Sequence, residues 1–184
     1  MKEKLNILFI CNKSPWPPRE GGPIAMFNLI DGLASAGHKV KVLAINTNKY
    51  MVKPEEIPED IKQKTGIELV YIDLSVKALP ALRNMILNKS YHVERFKSPE
   101  FDKKLIEILQ ENEFDIVQFE LVYMSPYIET IRQYSKAKIV LRAHNIEHLI
   151  WQRIASGTKN LLKKIYIKHL VSTLQDYELS VLDE

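Results

Sequence analysis

Two periodicities alternate along the chain. Short apolar runs at 5–12, 39–45, 67–73, 114–120 and 138–143 have the length and β-branched content of strands buried on both faces. Between them, apolar residues recur at helical spacing. Ile24, Phe27, Ile30, Leu33 and Ala34 predict one helix, with Pro23 at its first position and Gly37 as its stop. Ser98-Pro99-Glu100 opens another, with Ser98 as N-cap and Phe101, Leu105, Ile108 and Leu109 as its apolar face. Shorter helices are expected within 46–66, at 79–87 and at 126–134. The remainder from 144 on reads as helical, broken near Ser156-Gly157-Thr158. In the last helix Leu162, Ile165, Tyr166, Leu170, Leu174, Tyr177 and Val181 predict a core-facing stripe.

Strands that alternate with helices imply βαβ units and a parallel sheet. The expected fold is therefore α/β, a doubly wound Rossmann-like sheet of strand order 3-2-1-4-5 with a long C-terminal helix. Ligands of such sheets sit outside the carboxyl ends of the strands, where the order reverses. That rule selects three segments, 12–22, 119–123 and 142–148.

Composition changes this picture little. The chain has 184 residues, 46% of them apolar, enough for one domain with a real core. A net charge of +3 is too balanced for a general nucleic-acid binder. Cys11, the lone cysteine, sits in an apolar strand and reads as a core thiol. No apolar run reaches the roughly 18–20 residues that span a bilayer, and the apolar start at 5–11 reads as a strand rather than a leader. A cytoplasmic protein is expected, either free or peripherally associated with the inner face of the membrane.

Candidate chemistry lies in the selected segments. Gly21-Gly22, before a helix, could present backbone N–H groups to a phosphate, or could be a plain turn. The stretch 32–39 resembles a phosphate loop but ends a helix instead of opening one. His144-Asn145-Ile146-Glu147-His148 matches an inverted zinc-protease pattern, yet His144 directly follows a strand, so the two histidines do not share a helix face and no metal is expected. Asn145 is placed to cap the helix that follows. His144 at the tip of the fifth strand could exchange a hydrogen bond with a substrate hydroxyl near neutral pH. Glu120 leaves an acid at the same crevice, and Trp16 and Arg19 could add a stacking face and an anion contact. Lys159, Lys163, Lys164 and Lys168 lie mainly off the stripe of the last helix. They form either a solvated face or a surface suited to anionic lipid.

In order and spacing, several segments together resemble the N-terminal domain of GT-B-fold glycosyltransferases of family 4. They are the opening strand, the Pro-rich loop ending in Gly21-Gly22, the helix running into Gly37-His38-Lys39-Val40, Phe114 to Glu120, Arg142 to Glu147, and Tyr177-Glu178. The resemblance implies the acceptor-side half of a retaining enzyme that moves a sugar from a nucleotide-sugar donor to a glycan or lipid-linked acceptor, without metal or other cofactor. Gly21 and Gly22 would approach the donor diphosphate and His144 the transferring sugar. Trp16, Arg19, Glu120, Arg142, Asn145 and Glu147 would shape the acceptor side. Residues 1–184 are then one acceptor-side domain. The nucleotide-sugar-binding domain with its Glu-x7-Glu pair is expected beyond Glu184, where the helical pattern runs on uncapped, and the isolated domain is expected to be inactive. A sugar-nucleotide epimerase on the same scaffold and a non-catalytic binding or membrane-adaptor domain are the alternatives.

Overall fold

A computed structural model of the chain describes residues 4–182. β1 (Asn6–Cys11) leads through α1 (Gly21–Ser35) to β2 (Lys39–Thr47), and α2 (Glu59–Thr65) precedes β3 (Glu68–Ile72). Three helices follow, α3 (Ala78–Ile86), α4 (Tyr91–Glu94) and α5 (Pro99–Glu111). The chain then returns as β4 (Ile116–Glu120), α6 (Ile128–Tyr134) and β5 (Lys138–Arg142), and closes with α7 (Glu147–Gly157) and α8 (Leu161–Leu182). The sheet is wholly parallel in the order β3-β2-β1-β4-β5. The expected fold class and strand order are therefore the observed ones.

Strand alternation divides the core in two. Leu8 and Ile10, with Leu43, Ile45, Val117 and Phe119, face α4, α5, α6 and α8. Ile7, Phe9 and Cys11, with Val42 and Ala44, face Met26 and Ile30 of α1. Residues 8–11 are wholly inaccessible to solvent, as a central parallel strand covered on both faces must be. Each such aliphatic side chain is worth roughly 1.5–3 kcal/mol on burial. Ser98 caps α5, accepting from the backbone N–H of Phe101 at 3.3 Å, and the four apolar residues expected to line that helix are all buried. Gly37 closes α1 with a φ of +90°, a conformation its lack of a Cβ makes accessible.

Three expectations need correction. α1 begins at Gly21, two residues before Pro23, so the glycines are its first residues rather than a loop. Its inward face is Met26, Leu29, Ile30 and Leu33, while Ile24 is exposed. α4, which the sequence pattern does not predict, has only four residues, too few to show a period. The stripe of α8 is buried only from Tyr166 onward, since Leu162 and Ile165 project beyond the body they were expected to pack on.

His92 of α4 is buried, and its ring lies 4.0 Å from that of Trp151 on α7. Neither of its ring nitrogens has a hydrogen-bond partner among the described residues. Burial, with a smaller push from Arg95, drives its pKa down from 6.5 to about 4. A proton therefore binds the unfolded chain more readily than the folded one. The packing of His92 contributes fully above pH 6.5 and is lost as the pH falls toward 4. Urea denaturation between those limits should show about 3 kcal/mol of lost stability from this residue. His92→Phe should remove that component and flatten the profile. A profile identical to wild type would show that the imidazole is not the responsible group.

Candidate functional site

The carboxyl ends of β1, β4 and β5 lie side by side, with Cys11 opposite Glu120 and Glu120 opposite Arg142. All three residues share the strand parity that faces α1. The Glu120 side chain is completely buried. Its Oε1 accepts from Nε2 of Gln118 at 2.7 Å, and the guanidinium of Arg142 reaches both carboxylate oxygens at 3.4–3.5 Å. His144 Nε2 lies 2.5 Å from Glu120 Oε2. Arg142 also donates to the carbonyl of Ala25 in α1 at 3.3 Å, which binds the first turns of that helix to the strand ends. The cluster is a buried anion matched by one permanent cation, an amide and an imidazole.

This arrangement specifies the histidine. A carboxylate only accepts, so the proton of a neutral His144 sits on Nε2 and Nδ1 keeps its lone pair. Nδ1 has no partner among the described residues, and the ring is only partly buried. The Cys11 thiol beneath the cluster is held well above its ordinary pKa, chiefly by burial and then by the Glu120 charge. It stays protonated and serves packing.

Immediately after Glu120 the backbone turns through Leu121, with φ +78° and ψ 150°. That region is essentially reserved for glycine and costs of the order of 1–3 kcal/mol. The N–H of Leu121 is nevertheless bonded to the carbonyl of Arg142 at 3.1 Å, which fixes the turn at the sheet end.

At the start of α1, neither Gly21 nor Gly22 has a positive φ, and a Cβ at Gly21 would meet nothing within 4 Å. Glu20, the N-cap residue, makes no side-chain cap bond, and the first turn holds no acid. The N–H groups of Gly21 and Gly22 therefore have no partner among the described residues, at the positive end of the helix dipole.

The remaining expected site residues divide. Trp16 packs on Phe27 at 5.2 Å and, with Arg19, Lys13, Lys49 and Tyr50, lines a hollow of about 220 Å³. Neither Glu120 nor His144 lines that hollow. Asn145 is exposed and does not cap α7. The cap comes from α8: the Glu178 carboxylate accepts from the N–H groups of Glu147 and His148, both at 2.9 Å, and meets His148 Nδ1 at 2.6 Å. Glu147 points inward and accepts from the buried Tyr123 hydroxyl at 2.8 Å. His144 and His148 thus serve different carboxylates. Among the described residues no group of three or more His, Cys, Asp or Glu is arranged to hold a metal ion.

Gln118 and Asn12 were not among the expected site residues. Gln118 sits within a buried strand, where only its position two residues before Glu120, on the same face, pointed to it. Asn12 directly follows β1, and its buried Oδ1 has no partner among the described residues.

Two measurements check this geometry. Nitrogen-15 NMR at alkaline pH should find His144 as the Nε2–H tautomer, and Glu120→Ala should convert it to a mixture. A dominant Nδ1–H form in the wild type would contradict the pairing. Glu178→Ala should lower stability by about 1–2 kcal/mol, as loss of a helix cap does. It should also speed amide exchange at Glu147 and His148. Unchanged exchange there would mean that the two N–H groups are satisfied otherwise.

No protein-family model matches the chain, and no curated protein does. Among solved structures, the C-terminal domain of a hydrogenase from Pyrococcus furiosus is similar at a TM-score of 0.44 and 14% sequence identity, covering 77% of this chain and 93% of that one.

Proposed function

We propose that the chain is the acceptor-side half of a retaining glycosyltransferase, with the crevice at the ends of β1, β4 and β5 as its contribution to the active site. One observation supports this most. At the point where the strand order reverses, a buried carboxylate holds both an imidazole and the Arg142 guanidinium, which reaches the first turns of a helix whose leading N–H groups have no partner among the described residues.

In this reading Glu120 is a positioning residue. It holds His144 so that Nδ1 accepts from a hydroxyl of the transferring sugar. Gly21 and Gly22 donate backbone N–H bonds to a diphosphate oxygen of the donor as negative charge builds on the leaving group. The acceptor oxygen bonds to the anomeric carbon as the carbon–oxygen bond to the diphosphate breaks. The hydroxyl proton passes to the departing phosphate. Trp16, Arg19 and Asn145 are on or near the acceptor path. Arg142 and Glu147 shape it from beneath, since Glu120 and Tyr123 already engage them. The nucleotide is held mainly by a second domain, and neither metal nor other cofactor takes part.

The test uses this chain joined to its nucleotide-binding domain, with donor turnover as the readout. His144→Ala should lower kcat at least about a hundredfold, the scale of a lost group in acid–base or polar catalysis. Glu120→Gln should fall between that variant and the wild type. An elongated acceptor as product fits the reading, whereas a free isomerised nucleotide sugar would favour the epimerase. Wild-type transfer by His144→Ala would overturn the role assigned to it.

A further inference from the structure

α3 is amphipathic, with Leu79, Leu82, Met85 and Ile86 on one side and Pro80, Arg83 and Asn84 on the other, yet its apolar side lies on the surface. Only Ala81 is buried, while Leu79 is 81% exposed, Ile86 75% and Leu82 half exposed. The apolar side of an amphipathic helix ordinarily packs on a core or lies in the plane of a membrane interface. The first turns of α8 repeat the anomaly, with Leu162 79% exposed and Leu161 and Ile165 close behind.

The two exposures are joined. Ala81, Tyr91, Tyr166 and Leu170 form one small cluster that fastens α3 and α4 to α8. Leu162, Tyr166 and Leu170 follow one another at i, i+4 and i+8. Leu162 is therefore the next step of that packed stripe, one turn beyond the point where its cover ends.

Charge selects what covers this face. Residues 74–93 hold three Lys or Arg and no Asp or Glu, and residues 148–175 hold five and none. The rest of the chain is net acidic. Lys77 reaches Asp73 at 3.3 Å. Arg83, Lys89, Arg153, Lys159, Lys163, Lys164 and Lys168 have no carboxylate partner among the described residues. A second copy of this chain would bring cations against cations. Nucleic acid would answer the charge but leave the leucines in water. An anionic bilayer answers both, with apolar side chains in the acyl boundary and lysines at the headgroups.

We propose that α3 and the first half of α8 form a lipid-docking face that lays the protein on an anionic membrane. Among the described residues no helix is long and apolar enough to cross a bilayer, so the contact is made at the interface. The proposal is independent of the reaction assigned to the strand ends.

Flotation of the 184-residue chain with vesicles tests it. Binding is expected to vesicles of phosphatidylglycerol mixed with phosphatidylcholine, and is expected to be weak on phosphatidylcholine alone and weakened by high salt. Lys159, Lys163, Lys164 and Lys168 changed together to Gln should lower partitioning at least about tenfold, since each basic group near an anionic surface counts several-fold. Leu162→Ser/Ile165→Ser should do the same at unchanged charge. The altered positions are exposed, apart from the half-buried Lys164, and circular dichroism establishes that both variants fold. Equal binding to neutral vesicles, or no effect of either variant, would overturn the proposal. So would sedimentation showing a dimer that Leu162→Ser/Ile165→Ser dissolves.

Discussion

A carboxylate without access to water must be matched on the spot, and in this fold the carboxylate is Glu120. Its partners come from its own strand through Gln118, from the neighbouring strand through Arg142, and from the connection that follows through His144. Arg142 then extends the constraint to α1. Strand ends, helix start and imidazole are thus held by the need to compensate one charge. A loop histidine would otherwise sample many orientations. This one is confined without needing close packing, which leaves part of its ring open.

The C-terminal hairpin of helices is fastened by the same logic on the opposite face of the sheet. The helix start of α7 has no capping side chain of its own, and Glu178 supplies one from thirty residues away. Tyr177 beside it is 2.9 Å from the Ser125 hydroxyl in the turn after β4. Both ends of β4 to α7 are therefore tied to α8. The register of α8 along its length is fixed by polar contacts, while its apolar residues supply area.

Most of the architecture was legible because its signals are local. β1 is buried on both faces and must be continuously apolar, and Ser98-Pro99 marks a helix start by chemistry alone. The order of the strands followed from handedness and connection length. What escaped depended on distant partners. Nothing near Ile146 shows that α7 is capped from α8, and the period of α8 continues past the point where the protein ends beneath it. The glycines at 21 and 22 read as lying before the helix because glycine weakens helices, yet the first turn needs few helical hydrogen bonds. At the candidate site, position relative to the strand ends singled out His144 and Glu120 as candidates. Their bond to each other, and the inward turn of Glu147, required the tertiary structure.

The sheet's central strand is also the first made. β1 pairs with β2 after a single crossover, but its other edge must wait for β4, with Ile7 opposite Ile116. At about 5–20 residues per second, a ribosome takes on the order of 5–20 s to supply that partner. Throughout that interval the most apolar segment of the chain has one edge open. Whatever shields it then, α1 folded over its face or a chaperone, governs the yield of folded protein before the site at the strand ends exists at all.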